Sequence, residues 1–218
     1  MNDELLNRLK LIDSCAVSDA MDSFGLPGEV TGLNNQTTKN KIVGRVLTVK
    51  LGTEKPVGGS VKHLCSGAIE SGAAGNVIVI EQRTGVDAAG WGGVLSNAAQ
   101  HNGVEGVIVE GPARDIDEAA GLGFTVYARG HTARTARGRI FEQSFNTEIQ
   151  VGDVRVNEGD VVIADGSAVV FIPKDKAEEI AERIVAKEQL MTEAVRSGTP
   201  VGTVMGSNYE NMLDEMSK

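Results

Sequence analysis

Arg114 and Asp115 are the residues of this chain best suited to chemistry. They stand in the stretch Val109–Asp117, VEGPARDID, directly after the β-branched run Gly106-Val107-Ile108-Val109, which reads as a buried strand. Gly111-Pro112 is expected to break that strand, and Asp117-Glu118 reads as an acidic helix start. Open α/β sheets hold ligands just past the carboxyl ends of their strands. There a carboxylate can hold a divalent cation and a guanidinium can grip an anionic substrate. The plainer alternative is a helix N-cap beside a surface charge.

A second stretch offers backbone rather than side chains. Gly90-Trp91-Gly92-Gly93-Val94-Leu95 lies between a strand, Asn76–Glu81, and a helix, Gly92–Asn102. Glycines there allow close approach of N–H groups, and a helix N-terminus favours anions. The spacing is neither a dinucleotide fingerprint nor a phosphate-binding loop, so a small carboxylate is the better-sized guest. A tightly packed glycine turn is the plainer reading here. If the two strands pair in parallel, both stretches open on one crevice. A 2-oxo acid then fits, with its carboxylate at the helix N-terminus and Arg114 and its keto oxygen toward a cation on Asp115. One carboxylate with several waters suits Mg²⁺ or Mn²⁺ rather than zinc. Such a metal acts as a Lewis acid toward the enolate left when a C–C bond breaks.

Other constellations are weak. His63, His101 and His131 have no metal-ligand spacing, Cys15 and Cys65 have no CxxC partner, and Gly166-Ser167-Ala168 is not a nucleophile elbow. His131 reads as a surface residue and Trp91 as a packing one.

The elements that must position these residues follow from periodicity. Helices are expected over 3–13, from a Ser18 or Asp19 cap to Gly25, over 63–73, 92–102 and 115–120, and over 174–197. Strands are expected over 42–49, 76–81, 106–110 and 124–128, with helices between the last three, which indicates a parallel βαβ centre. Residues 25–41 and 52–60 read as loops. Beyond Gly130, short strands at 148–151, 154–156, 160–164 and 168–172 suggest antiparallel pairing that closes a second sheet or one side of a barrel-like core. In the last helix Ile180, Ile184, Met191 and Val195 share one stripe, and Glu188 falls inside it. A carboxylate on an apolar face is either salt-bridged or exposed, or it reaches into a site, in this case on a neighbouring subunit.

The 218 residues suggest one domain over 1–198 with a polar tail over 199–218. With 21 basic and 30 acidic residues the formal charge is −9, which disfavours direct binding of nucleic acid. Arg129, Arg134, Arg137 and Arg139 form only a loose basic group. Two separated cysteines, no signal-peptide pattern and no apolar run long enough for a membrane span point to a cytoplasmic protein without a membrane partner.

The segments WGGVL at 91–95 and GVEGVIVEGPARDIDEAAGLGFTVYARGHTAR at 103–134 resemble the RraA-like family. GRVLTVK at 44–50 and GDVVIADGSAVVFIP at 159–173 resemble its other strands. The resemblance implies a single-domain α/β sandwich with a long C-terminal helix, assembled as a homotrimer or homohexamer. It also implies class II lyase activity: 4-hydroxy-4-methyl-2-oxoglutarate or 4-carboxy-4-hydroxy-2-oxoadipate aldolase, or oxaloacetate decarboxylase, giving pyruvate. By position, Arg114 binds the pyruvyl carboxylate and keto region, Asp115 holds Mg²⁺ or Mn²⁺, and the Gly92, Gly93, Val94 and Leu95 backbone cradles substrate. Glu188, or alternatively Glu193, is the carboxylate delivered to the neighbouring subunit. The aldolases carry an acid twenty-one positions before the arginine, where this chain has Gly93. Glycine there is shared with a regulator branch that inhibits RNase E, so a non-catalytic ribonuclease-binding protein is the competing expectation. Without that acid, aldol cleavage, which needs a base at the 4-hydroxyl, should suffer more than decarboxylation.

Overall fold

In the computed structural model, residues 3–56 and 63–204 are described, apart from the side chains of 185–190. In chain order the elements are α1 (Glu4–Leu9), α2 (Ser14–Ser23), β1 (Glu29–Val30), β2 (Asn34–Asn35), β3 (Ile42–Gly52), α3 (Ser66–Ser71), β4 (Asn76–Glu81), α4 (Gly93–His101), β5 (Gly106–Ala113), α5 (Ile116–Leu122), β6 (Thr125–His131), β7 (Phe141–Phe145), β8 (Ile149–Val151), β9 (Val154–Val156), β10 (Val161–Ala164), β11 (Val169–Ile172), α6 (Ala177–Arg196) and α7 (Val201–Val204).

The main sheet has the order β1-β11-β10-β3-β4-β5-β6-β2, with β7 added against the far end of β3. Strands β3, β4, β5 and β6 are parallel neighbours, as the βαβ reading requires. Alternation sorts their side chains onto two faces. Leu47, Ile78, Ile80, Val107, Val109 and Val126 pack under α3, α4 and α5. Val43, Val161, Ile163, Val170 and Ile172 continue that face beneath α1, α2 and α6. Val46, Val77, Val79, Ile108 and Tyr127 point the other way, onto the hairpin formed by β8 and β9. Both faces are thus covered, which is why these strands read as unbroken apolar runs. Each fully buried Val or Ile contributes about 1.5–3 kcal/mol.

Several expectations change. Residues 160–172 do not close a second sheet: β10 and β11 join the main sheet antiparallel to β3, and only β8 and β9 stand apart. The loop over 25–41 contains β1 and β2, two-residue strands that blunt the sheet's edges. Helix α2 starts earlier than expected, because Asp13, not Ser18 or Asp19, caps it through Ala16 N–H at 2.8 Å. Strand β7 (Phe141–Phe145) forms where no element is expected from the sequence. Gly111-Pro112 does not end β5, which runs on to Ala113 with a register shift against β6 between Val109 and Pro112. The last β4–β5 pair is Glu81 with Glu110, so Pro112 lacks an N–H only where no strand asks for one.

In α6, Ile180 and Ile184 are buried, Met191 is half-buried and Val195 is 46% exposed. The loop reading over 52–60 reaches residues 57–60, and the tail reading reaches 205–218; both lie outside the described residues. No described helix is long and apolar enough to cross a membrane.

Candidate functional site

The β4–α4 connection and the β5–α5 turn meet at the carboxyl edge of the sheet. The first is fixed from behind. Gly90 N–H donates to Pro112 O at 2.9 Å, and Arg114 N–H donates to Trp91 O at 3.0 Å. Trp91 is buried; its Nε1 donates to Ser96 Oγ at 2.8 Å, and its ring stacks on Phe124 with centroids 6.2 Å apart. It is a packing residue, as expected. Gly90 sits so close to the Gln82 amide, and Gly92 so close to Asp115 Oδ2 and the Arg114 side chain, that a Cβ at either position would overlap them.

Asp115 occupies the N-cap position of α5 but does not cap it. Its backbone is left-handed, with φ of 55°, and its carboxylate makes no bond to the helix. Aspartate is among the few non-glycine residues that adopt this conformation readily. The turn aims the carboxylate across the crevice instead. Oδ2 accepts the Gly93 N–H at 3.0 Å and lies 3.2 Å from Arg114 Nε. Both side chains are more than a third exposed, so the ion pair adds little stability, about 0–1 kcal/mol. The plain capping alternative therefore fails on geometry.

Arg114, Asp115 and the Gly92–Leu95 turn face one cavity of about 720 Å³. The four glycine-turn residues are not equivalent in it. The Gly93 N–H is engaged by Asp115, while Ser96 N–H donates to Gly92 O. The Val94 and Leu95 N–H groups, at the start of α4, have no protein acceptor among the described residues. These two remain to meet an anion. Glu188 lies among the residues whose side chains are outside the described set. Glu193 is exposed on the distal half of α6 and does not line the cavity. His131 is exposed and faces Gln36.

From the sequence, Glu118 reads only as part of an acidic helix start that accompanies the Arg114–Asp115 pair. A Cβ placed on Gly93 would collide with the Glu118 carboxylate. The volume where a side chain at 93 would begin is thus occupied by an acid from α5. Asn97 Nδ2 steadies it, donating to Glu118 Oε1 at 2.9 Å and to Gly93 O at 3.0 Å. The available signal was spacing: Asp115 and Glu118, three apart, share one face of a helix start. The other wall of the cavity was missed. It includes His63, Arg137 and Glu142. Glu142 Oε2 accepts the Cys65 N–H at 2.6 Å. Burial, and then the Glu142 carboxylate, push the Cys65 thiol well above its ordinary value.

The profile of the RraA-like family, described as Aldolase/RraA, matches residues 14–171. The chain belongs to the RraA-like family. Among relatives, it is 25% identical over 185 residues to a Halalkalibacterium halodurans protein named "Putative 4-hydroxy-4-methyl-2-oxoglutarate aldolase", covering 85% of this chain and 84% of that one. It is 27% identical over 199 residues to the protein DlpA of Legionella pneumophila; that match covers 89% of this chain but only 32% of DlpA. Among solved structures, RraAS2 of Streptomyces coelicolor, described as an unusual member of the RNase ES inhibitor RraA protein family, superposes with a TM-score of 0.80 at 22% identity, covering 90% of this chain and 98% of that one. That likeness establishes the RraA-like fold. Several other relatives in the family carry the same putative aldolase name.

Proposed function

We propose that this RraA-like chain is a divalent-cation-dependent carbon–carbon lyase of a small 2-oxo acid. The reaction is 4-hydroxy-4-methyl-2-oxoglutarate-type aldol cleavage, with oxaloacetate decarboxylation as its simpler relative. The observation that carries the reading is the convergence on one cavity of the Arg114 guanidinium, the Asp115 carboxylate and the α4 N-terminus.

The donor set fits a hard cation. Asp115 Oδ1 is not engaged by the neighbours that hold Oδ2. Among the described residues no group of three His, Cys, Asp or Glu forms a fuller cage. One or two carboxylates completed by water is the usual Mg²⁺ arrangement, and Mn²⁺ accepts the same oxygens. When bound, the cation supplies a Lewis-acid sink for charge developing on the keto oxygen.

The chain's own residues do the rest. Arg114 binds the 2-oxo acid carboxylate and steadies the keto oxygen. The Val94 and Leu95 N–H groups, at the positive end of α4, orient the same carboxylate. Glu118 moves the proton at the 4-hydroxyl when the C3–C4 bond breaks. This acid, against Gly93 but outside the cavity's lining, stands where the family's acid at 93 is missing.

The test is pyruvate release from 4-hydroxy-4-methyl-2-oxoglutarate and from oxaloacetate, with Mg²⁺ and with excess chelator. Chelator-sensitive release is expected from both. Asp115→Ala should abolish Mn²⁺ binding while leaving assembly size unchanged. Unaltered Mn²⁺ affinity in that variant, or no release from either acid, overturns the lyase reading. The second outcome favours a regulator whose net charge of −9 suits a basic ribonuclease partner.

A further inference from the structure

The cavity is larger than its anion-binding end requires. At about 720 Å³ it falls in the range that houses drug-sized ligands, and a pyruvyl group fills a small part of it. The rest lies beneath the segment 132–142, which crosses the carboxyl edge of the sheet. One end of this segment is tied to β5, where Thr132 N–H donates to Ala113 O at 2.9 Å. The other end is tied to β3, where Phe141 pairs with Gly52. β4 lies between β3 and β5, so the two ties are two strand spacings apart, roughly 10 Å. The span is also pinned to the β4–α4 connection, because Ala89 N–H donates to Arg134 O at 2.9 Å.

Four arginines lie on or beside this span, and three are engaged. Arg129 is paired with Glu110, Arg134 with Asp87, and Arg139 donates to Thr135 O at 3.0 Å. Arg137 is exposed and lines the cavity, and its guanidinium has no hydrogen-bond or ion-pair partner among the described residues. Its backbone is held, with its N–H on Thr135 Oγ1 at 3.3 Å. Glu142 lines the same wall, but its Oε2 is committed to the Cys65 N–H. Leu64, Trp91, Ile140 and Phe141 contribute apolar wall to the cavity that Arg137 and Arg114 both line. The cavity therefore has two arginines and apolar side chains in its lining.

We propose that Arg137 is a specificity-determining residue that binds the distal carboxylate of a 2-oxo diacid whose keto-acid end is held at Arg114 and Asp115. The proposal rests on the reading of the site as a 2-oxo acid pocket. An unpaired guanidinium on a cavity wall is suited to a carboxylate, which it meets through two parallel N–H groups.

The test uses two acids that differ only at the far end. 2-Oxoglutarate carries a carboxylate where 2-oxopentanoate carries a methyl group. Their binding to the full chain in Mg²⁺ buffer is measured by calorimetry, beside pyruvate, for the wild type, Arg137→Ala and Arg137→Lys. The wild type should bind 2-oxoglutarate about tenfold more tightly than 2-oxopentanoate. Arg137→Ala should bring the two to parity without moving pyruvate or 2-oxopentanoate, and Arg137→Lys should restore part of the preference. Parity in the wild type, or an equal loss for all three acids in Arg137→Ala, overturns the distal role and leaves the lyase reading standing. If none of the three binds the wild type, the lyase reading falls and this proposal falls with it.

Discussion

Adding one methyl group at Gly93 separates stability from chemistry at this site. The three atoms nearest the Cβ of Gly93→Ala all belong to the Glu118 carboxylate, the far end of a flexible side chain. Glu118 is exposed and free to swing away, so the overlap is relieved by losing the carboxylate's position and not by moving the fold. The energetics nearly cancel. Replacing glycine at the first residue of α4 gains about 0.5–1 kcal/mol of backbone entropy. Losing the Asn97–Glu118 hydrogen bond at the surface costs about 0.5–1.5 kcal/mol. Net stability should change by about 1 kcal/mol or less. Activity should not be spared. Displacing the proton-transfer group should lower 4-hydroxy-4-methyl-2-oxoglutarate cleavage about tenfold, and Glu118→Gln, which keeps the shape, should lower it roughly a hundredfold. Oxaloacetate decarboxylation, which needs no base at a hydroxyl, should fall less in both. Gly93→Asp combined with Glu118→Ala should recover part of the cleavage. The assays are thermal denaturation and lactate dehydrogenase-coupled pyruvate release. Full cleavage activity in Glu118→Gln would refute the assigned role. A large loss of melting temperature in Gly93→Ala would show that the neighbour is rigid and the packing argument wrong.

Three further outcomes follow from the fold. Burial works to raise the Asp165 pKa, but the Ser14 hydroxyl, with the Ser167, Ser14 and Ala168 N–H groups, outweighs it and holds this carboxyl below its usual value. A depressed folded-state pKa stabilises above the unfolded-state pKa and ceases to do so as pH falls through the folded one. Asp165→Ala should therefore cost about 2 kcal/mol at pH 7 and progressively less below about pH 4 in urea titrations. Ile108→Ala, at a position with no exposed surface between the sheet and the hairpin, should cost about 2–5 kcal/mol by calorimetry. Titration of thiols with a chromogenic disulfide should count one fast group in the native protein, the exposed Cys15, and two after denaturation, because Cys65 is buried and its pKa is raised.

The parallel centre was legible because Val46, Ile78, Ile108 and their neighbours are buried on both faces, and such strands announce themselves as continuous β-branched runs. The meeting of the Gly92–Leu95 turn with Arg114 and Asp115 was legible too, since parallel strands fix which loops share an edge. What stayed hidden depends on distances across the fold. Phe141–Phe145 reads Phe-Glu-Gln-Ser-Phe, with apolar residues only at its ends, and is at most half buried, so no periodicity marks it as a strand. The filling of the space above Gly93 by Glu118 joins residues on different helices. The membership of His63, Arg137 and Glu142 in the cavity wall is decided by where a span lands on β3. Pro112 misled for a local reason: a proline breaks a paired strand, but β5 at that point has outrun β4.

The span over residues 132–142 is built like a footbridge, moored at Ala113 on one bank and at Gly52 on the other. Its moorings are main-chain bonds, indifferent to side-chain identity; Ala136 and Ile140 pack into the core, but the exposed residues between them, Arg137 to Arg139, do not. Selection can therefore rewrite the crown, Arg137 first, and alter which acids are admitted without touching the machinery below. Related chains that share the Arg114–Asp115 pair are then expected to diverge in diet chiefly by what hangs from this arch.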